Sequence, residues 1–259
     1  MTAGGIVFLM YHELELPDRA ICQSEPGYVR YVLPVSDFRA QMQSLKRLGM
    51  RGLSVSDALA SPDQHAVAIT FDDGCETDLL AVAPILEELG LGATFYATAG
   101  FLGRPGYMSP AQLREVCDHG FEIGCHSLTH PYLTDLDDSG LRREIVEAKR
   151  HLEEIAGRPI KHFSCPGGRY DRRVVEIARA AEYASVATSR PHTNSKSTDP
   201  FALGRVAVMR GTSLRTFDGL CRGRGLWKLN ARDTVQAAAH RLMGNSLYDR
   251  VRSVLLGDG

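Results

Sequence analysis

Ala66-Val67-Ala68-Ile69-Thr70-Phe71-Asp72-Asp73-Gly74 is the stretch that decides how this chain is read. A short apolar run of strand length ends in two adjacent acids and a glycine, and a helical pattern follows as far as Gly90. The same order then recurs along the chain. Ala93 to Thr98 reads as a strand, and Ser109 as the N-cap of a helix with Pro110 at its first position, His119 at its end and Gly120 as its stop. Phe121 to Cys125 is the next strand. The apolar positions Leu141, Ile145, Ala148, Leu152 and Ile155 then predict a helix over 139–156, closed by Gly157, and Lys161 to Cys165 returns as a strand. A helix over about 171–181 and short strands over 184–188 and 205–209 follow. Upstream, Ile6 to Met10 reads as a buried strand, and Ser36 as the cap of a helix carrying Phe38, Met42, Leu45 and Leu48.

Strands alternating with helices predict a parallel sheet, because parallel neighbours need a crossover. Six or more such strands leave a barrel or a doubly wound sheet. The expected fold is α/β, a distorted (β/α) barrel of roughly 6–8 mostly parallel strands with a helical C-terminal tail, because the polar residues collect at strand ends, where a barrel carries its active site. The expected catalytic unit runs over 1–212, with its core at about 62–210, and a helical basic extension over 213–259 packs on it.

The 259 residues are 44% hydrophobic and 24% charged, with 12 prolines, which excludes disorder, collagen and coiled coil. A net charge of -1 offers no electrostatic case for nucleic-acid binding. The six cysteines form no C-x-x-C pair and read mainly as small buried hydrophobes. The N-terminus lacks a basic n-region and an h-region, and no run approaches a membrane span, so a cytoplasmic protein is expected.

Three constellations carry chemistry. Asp72 and Asp73 are costly at the end of a buried strand unless a cation accompanies them, although an isolated Asp-Asp-Gly also reads as a helix start with acidic caps. His126-Ser127-Leu128-Thr129-His130 follows another strand, and a helical turn would bring both imidazoles to one face at a spacing that suits one metal ion. Two unrelated polar histidines are the plain alternative. Their coincidence with the acid pair at the same end of one sheet offers a carboxylate and two imidazoles with positions open for water, the form of a catalytic metal site. The third is Pro166-Gly167-Gly168, a tight turn whose glycines would also let backbone approach a ligand.

Thr70-Phe71-Asp72-Asp73-Gly74, the His126 to His130 segment and the Pro166-Gly167 turn, in that order, resemble the first three motifs of the polysaccharide deacetylase superfamily, carbohydrate esterase family four. Leu9-Met10-Tyr11-His12 and the 38–59 region resemble the subgroup found with exopolysaccharide and lipid-linked glycan synthesis. The resemblance spans roughly residues 6–209. It implies a distorted barrel that hydrolyses the N-acetyl group of an amino sugar with a divalent metal, usually zinc, held by Asp73, His126 and His130, with Asp72 as general base. It places Pro166, Gly167 and Tyr170 against substrate, with a backbone N–H at or near Tyr170 facing the oxyanion.

The chain departs from the family pattern twice. Many members carry Arg two residues before the third-motif proline, where Ser164 stands here, and Arg205 is the candidate substitute. The late Leu-x-His motif, whose His protonates the leaving amine, has no match; His12, His162 and His192 are the replacements to weigh, His12 first because it directly follows a strand. Cys75 and Cys125 flank the proposed ligands, but Cys125 should point away from His126 on alternate faces of the strand. Two rival functions stand beside the deacetylase: a non-catalytic glycan-binding relative, and a superfamily amidase acting on a small non-sugar amide. From Arg215 onward eight basic residues face four acids, a local net of +4 against -5 for the rest, and Trp227 lies among them. Such a segment can lie on an anionic membrane surface, where the sugar would be carried on a lipid, or can simply cap the barrel.

Overall fold

The computed structural model describes residues 5–61, 65–227 and 229. Ten strands follow in chain order: β1 Val7–Tyr11, β2 Leu14–Glu15, β3 Leu33–Pro34, β4 Arg51–Leu53, β5 Ala66–Asp73, β6 Thr94–Ala97, β7 Glu122–Cys125, β8 His162–Ser164, β9 Ser185–Ala187 and β10 Val206–Ala207. The helices are α1 Pro26–Val29, α2 Val35–Arg47, α3 Val55–Ala60, α4 Ala83–Leu89, α5 Pro110–Asp118, α6 Asp138–Arg142, α7 Ala148–Ala156, α8 Arg172–Ala180 and α9 Leu214–Cys221.

Eight strands form one parallel sheet in the order β10-β1-β5-β6-β7-β8-β9, with β4 also on β5. β4 pairs with Ala66–Ala68 and β6 with Thr70–Asp73, so two strands share one edge of β5. Leu203 pairs in parallel with Ala187, and the chain runs from there into β10 beside β1, which carries the curled sheet round towards closure. The expected (β/α) barrel is therefore observed. β1 lies inside the sheet, between β10 and β5.

Alternation along the strands divides the core. Leu9, Tyr11, Val67, Ile69, Phe71 and Phe95 belong to a large layer shared with the helices, where Tyr11 stacks on Phe71 at 5.1 Å and Phe38 of α2 meets both edge-on at 5.3 and 5.5 Å. Phe8, Ala68, Tyr96, Ala187 and Leu203 form the smaller interior cluster. Ala68, Thr70 and Asp72 share one face of β5, so this alternation aims the Asp72 side chain at the interior.

Several local expectations need correction. α2 starts at Val35 with Pro34 at the cap position, so Ser36 is inside the helix and caps nothing. The acids do not follow β5 but end it. β4 and α3 escape the sequence pattern because they are three and six residues long, too short for a period to register. Ser109 does cap α5, in a reciprocal capping box with Gln112. α9 docks Phe217, Leu220 and Cys221 into the core, and Ser44 of α2 donates to its Asp218 at 2.7 Å. The basic extension beyond residue 229 lies outside the described residues; Trp227 is 69% exposed. No helix of the described residues is long and apolar enough to cross a membrane.

Two glycines test this packing. A Cβ on Gly124 of β7 would run into the Tyr96 ring and lie 3.2 Å from the His162 carbonyl, whereas one on Gly219 of α9 meets nothing within 4 Å. Gly124→Ala should cost about 1–3 kcal/mol through overpacking. Gly219→Ala should gain roughly 0.5–1 kcal/mol by reducing the freedom of the unfolded chain. Urea unfolding of both variants measures the contrast, and equal effects would contradict the packing described.

Candidate active site

Neighbours in an extended strand point to opposite faces, so Asp72 and Asp73 should not meet. They do, because Asp73 has φ 80, in the left-handed region, and this turns its side chain back beside its neighbour. Both carboxylates approach one imidazole: His126 Nε2 lies 3.8 Å from Asp72 and 3.6 Å from Asp73.

The two histidines are brought together, but not by the helical turn their spacing predicts. Ser127 and His130 have φ 67 and 64, and the segment 126–130 is irregular. Buried Glu144 organises it. Its carboxylate accepts from the backbone N–H groups of Leu128 and Thr129 at 2.9 and 2.8 Å and from the Thr129 hydroxyl at 2.6 Å. The Ser127 hydroxyl accepts from the His130 N–H at 3.0 Å, and the Ser127 and Leu128 carbonyls accept from the N–H groups of Ala99 and Gly100. The imidazole rings end 4.9 Å apart, with His130 Nε2 3.4 Å from Asp73. His126 is buried and His130 about one third exposed.

His126 Nδ1 donates to the Ser164 carbonyl at 2.9 Å. A carbonyl only accepts, so the proton sits on Nδ1 and the Nε2 lone pair faces Asp73. Burial holds this imidazole down at about 4 despite the nearby Asp72 carboxylate, which keeps it neutral.

Arg205, which is fully buried, answers the missing arginine before Pro166. It donates to Asp72 in bidentate fashion at 2.7 and 2.8 Å, to the Ser164 hydroxyl at 2.7 Å, to Thr70 at 3.2 Å and through Nε to the Thr188 carbonyl at 3.0 Å. Its five N–H donors are thereby all used. The Tyr96 ring lies 5.3 Å from its guanidinium carbon. Burial alone would raise the Asp72 pKa, but the Arg205 charge and its hydrogen bonds hold it well below the usual carboxylate range.

His12 also comes to this site. Its ring stacks on Tyr31 at 4.7 Å, its Nδ1 is buried without a partner, and burial lowers its pKa while the charges of Asp73 and Asp72 pull it up. The other two histidines do not. His162 bonds to the hydroxyls of Ser56 and Ser185, both at 2.8 Å, and lies 3.3 Å from Glu122; His192 bonds to the Thr193 carbonyl. Pro166–Gly168 form a single tight turn, where a Cβ on Gly167 would come within 2.8 Å of the Tyr132 ring, so that glycine has a packing reason as well. Tyr170 is half-buried with its ring 5.3 Å from the Arg190 guanidinium carbon, and among the described residues no hydrogen bond or ion pair joins it to the acids or the imidazoles. Cys125 is buried on the far face of β7 against the Tyr183 hydroxyl, as alternation predicts. A cavity of about 370 Å³ lined by Ser54, Asp57, Glu122, Arg158 and Lys161 opens at the N-terminal ends of the strands, and Asp72, Asp73, His126, His130, Arg205 and His12 are not among its lining residues.

Sequence reasoning missed Glu144 and Tyr31. Glu144 reads as one more polar position on a long amphipathic helix, and Tyr31 sits in a stretch without pattern. Nothing local marks either residue as belonging to the site.

The donor set fits a divalent metal. Asp73 Oδ1 is buried with no hydrogen-bond partner, although the Nε2 atoms of both histidines stand within 3.6 Å of it. A buried carboxylate oxygen without a donor is expensive, and a cation between these three atoms would satisfy it. Asp73, His126 and His130 can each offer one ligand atom, and these lie within 4.8 Å of one another.

Comparison with known proteins gives the same direction. The chain is 27% identical over 191 residues to the protein YxkH of Bacillus subtilis, covering 71% of this chain and 68% of that protein. It is 30% identical over 125 residues to a peptidoglycan-N-acetylglucosamine deacetylase of Bacillus cereus, covering 48% of this chain and 56% of the relative's length. The fold matches that of the Streptococcus pyogenes deacetylase PplD, with a TM-score of 0.75 at 21% identity over 84% of this chain and 98% of that one. The family model for polysaccharide deacetylase matches residues 60–186, which span the acid pair, the two histidines and the Pro-Gly-Gly turn. Over these residues, just under half of the chain, the sequence matches the polysaccharide deacetylase family.

Proposed function

We propose that the protein is a metal-dependent hydrolase that removes the N-acetyl group from an amino sugar of a glycan. The observation that carries this reading is the orphaned Asp73 Oδ1 between the Nε2 atoms of His126 and His130, with an ionised second carboxylate beside it. The family supports the reaction class, a hydrolase acting on carbon–nitrogen bonds other than peptide bonds, and the Bacillus cereus relative supports an N-acetyl hexosamine as the substrate. The orphaned oxygen and the complete donor set favour a catalyst over a glycan-binding relative without metal.

In this reading Asp73, His126 and His130 hold the divalent ion, zinc by the preference of a mixed nitrogen–oxygen set. A bound ion would polarise the amide carbonyl and acidify a water. Asp72 stands outside the ligand set and keeps its lone pairs for the water's proton. Arg205 fixes the orientation of Asp72 and keeps it ionised, and the Ser164 hydroxyl completes that frame. His12, the imidazole outside the ligand set, is assigned the proton for the departing amine; burial weakens its hold on a proton and makes its protonated form the stronger acid. The finer reading, a sugar carried on a lipid at the inner membrane face, rests on the +4 excess from Arg215 onward.

Acetate release from a panel of N-acetylated oligosaccharides and lipid-linked amino sugars, measured beside metal content, tests the proposal. Release should follow metal loading, and His126→Ala or His130→Ala should lose both. Full metal in both variants, or no acetate from any sugar amide, would overturn it. Preference for the lipid-linked members would support the carrier.

The two proton-transfer residues separate by leaving group. Asp72→Asn should keep the metal yet lose about 10²–10⁴-fold in kcat on every amide, while His12→Ala should spare the amides with the most acidic leaving amines. Equal losses on activated and unactivated amides would remove His12 from that role.

Histidine burial predicts a pH dependence of the metal-free protein. His126 stays neutral in the fold down to about 4, whereas its unfolded counterpart protonates near 6.5. Between these values the unfolded state binds more protons, so this stabilisation is complete above about pH 6.5 and is lost as pH falls towards 4, on the order of 3 kcal/mol. His12, lowered in the same direction, adds to the slope. Urea unfolding in chelator across this range should show the decline, and His126→Gln should flatten it.

A further inference from the structure

A second cluster of ligand atoms stands apart from Asp73, His126 and His130. Glu13, Cys22 and Cys75 come from three separate stretches: the turn after β1, the irregular segment before α1, and the exit of β5. One carboxylate oxygen and both sulfurs lie within 4.8 Å of one another. We propose that these three residues form a second metal site, for a thiophilic divalent cation such as Zn²⁺.

The spacing supports the proposal. The two Sγ atoms are 3.5 Å apart, close to the roughly 3.8 Å between two thiolates on one tetrahedral zinc with Zn–S bonds of about 2.3 Å. The carboxylate is oriented as metal-bound carboxylates are, by hydrogen bonds from groups other than the ligand atoms. Glu13, 1% exposed, accepts from the Cys22 N–H at 2.9 and 3.2 Å and from the Tyr28 hydroxyl at 3.0 Å, and that hydroxyl also lies 3.4 Å from Cys75 Sγ. The segment carrying Cys22 is seated in the crook of Gly106, whose φ is +90 and where a Cβ would come within 2.8 Å of Cys22 Sγ. The Gly106 carbonyl accepts from Cys22 Sγ at 3.1 Å and from Arg19 at 2.9 Å, and Arg19 pairs in turn with Glu76 at 3.0 Å.

A second, independent observation calls for a cation. Asp78 is fully buried, and neither of its carboxylate oxygens has a hydrogen-bond partner. Its backbone N–H donates to the Cys75 carbonyl at 3.0 Å, so an unsatisfied buried carboxylic group adjoins the cluster. A divalent ion on Glu13, Cys22 and Cys75 would place positive charge beside it and tie the segment before α1 to the exit of β5, two residues from Asp73.

Cobalt titration of the full chain, reduced and stripped of metal, tests the assignment. In the His126→Ala/His130→Ala double variant, which lacks the imidazoles of the catalytic site, one equivalent of Co²⁺ should still bind and produce a thiolate-to-cobalt charge-transfer band in the near ultraviolet. Cys22→Ser should abolish the band, and Glu13→Gln should weaken binding, each with an unchanged circular dichroism spectrum. Zinc content of the wild type should then be two equivalents, falling to one in Cys22→Ser. Because Cys75 is fully buried, the partly exposed Cys22 is the variant of choice. Absence of the band from the wild type, or a Cys22–Cys75 disulfide in non-reducing peptide maps with metal content unaltered, would overturn the second site. Failure of the catalytic site alone would leave the band in place and remove acetate release.

Discussion

The bidentate pair between Arg205 and Asp72 is the constraint on which the candidate site depends. Both groups are buried, and a charge in that position is tolerated only when every donor and acceptor finds a partner. The arginine meets this condition by drawing Thr70 and Asp72 of β5, Ser164 of β8 and the Thr188 carbonyl beyond β9 to one guanidinium inside the barrel. Loss of either partner would strand the other in the core, at a cost of about 3–5 kcal/mol. The pair also separates two neighbouring carboxylates: Asp72 is held ionised by one Arg205 hydrogen bond to each oxygen, while Asp73 presents a bare oxygen to two imidazoles. Divergent surroundings for adjacent acids allow one to act as a ligand and the other as a base.

Backbone strain gathers around the same point. Five described residues other than glycine have positive φ, and Asp73, Ser127 and His130 are three of them. Each such residue costs of order 1–3 kcal/mol and persists only where its surroundings over-determine it. Glu144 supplies that determination for the histidine segment through three hydrogen bonds, and the Ala99–Gly100 backbone closes it from the other side. Gly100 is needed there, because a Cβ would meet the Leu128 carbonyl at 2.5 Å. The imidazoles are thus aimed by neighbouring loops and a buried acid, without help from a regular element.

The exit of β5 organises both proposed metal sites. Asp73 serves one and Cys75 the other, separated by Gly74, whose φ of +80 lets the chain turn where a Cβ would press on Ala97 at 3.1 Å. Glu13, Asp73 and Asp78 are all buried on this side of the sheet. Arg205 is committed to Asp72 and Arg19 to Glu76.

By itself the sequence determined what short-range order controls. Apolar runs of strand length alternating with helical periods specify a parallel α/β sheet, and acids or histidines at the ends of those runs mark the site and favour a barrel, because period and punctuation are local properties. The motif match carried the same assignment to Asp72, Asp73, His126 and His130. Only the tertiary structure decided the rest. Arg205 lies 133 residues from Asp72, and their pairing exists because β10 and β5 flank β1 in the curled sheet. The helical turn expected between His126 and His130 gave way to an irregular segment, in which Ser127 and His130 have positive φ, the His130 N–H turns to the Ser127 hydroxyl and Glu144, distant in sequence, holds the Leu128 and Thr129 N–H groups. His12 and His162 both neighbour a strand, yet only the first reaches the acids, because they belong to opposite ends of the barrel. Strand direction separates such residues, and direction is a property of the assembled sheet that no local window contains.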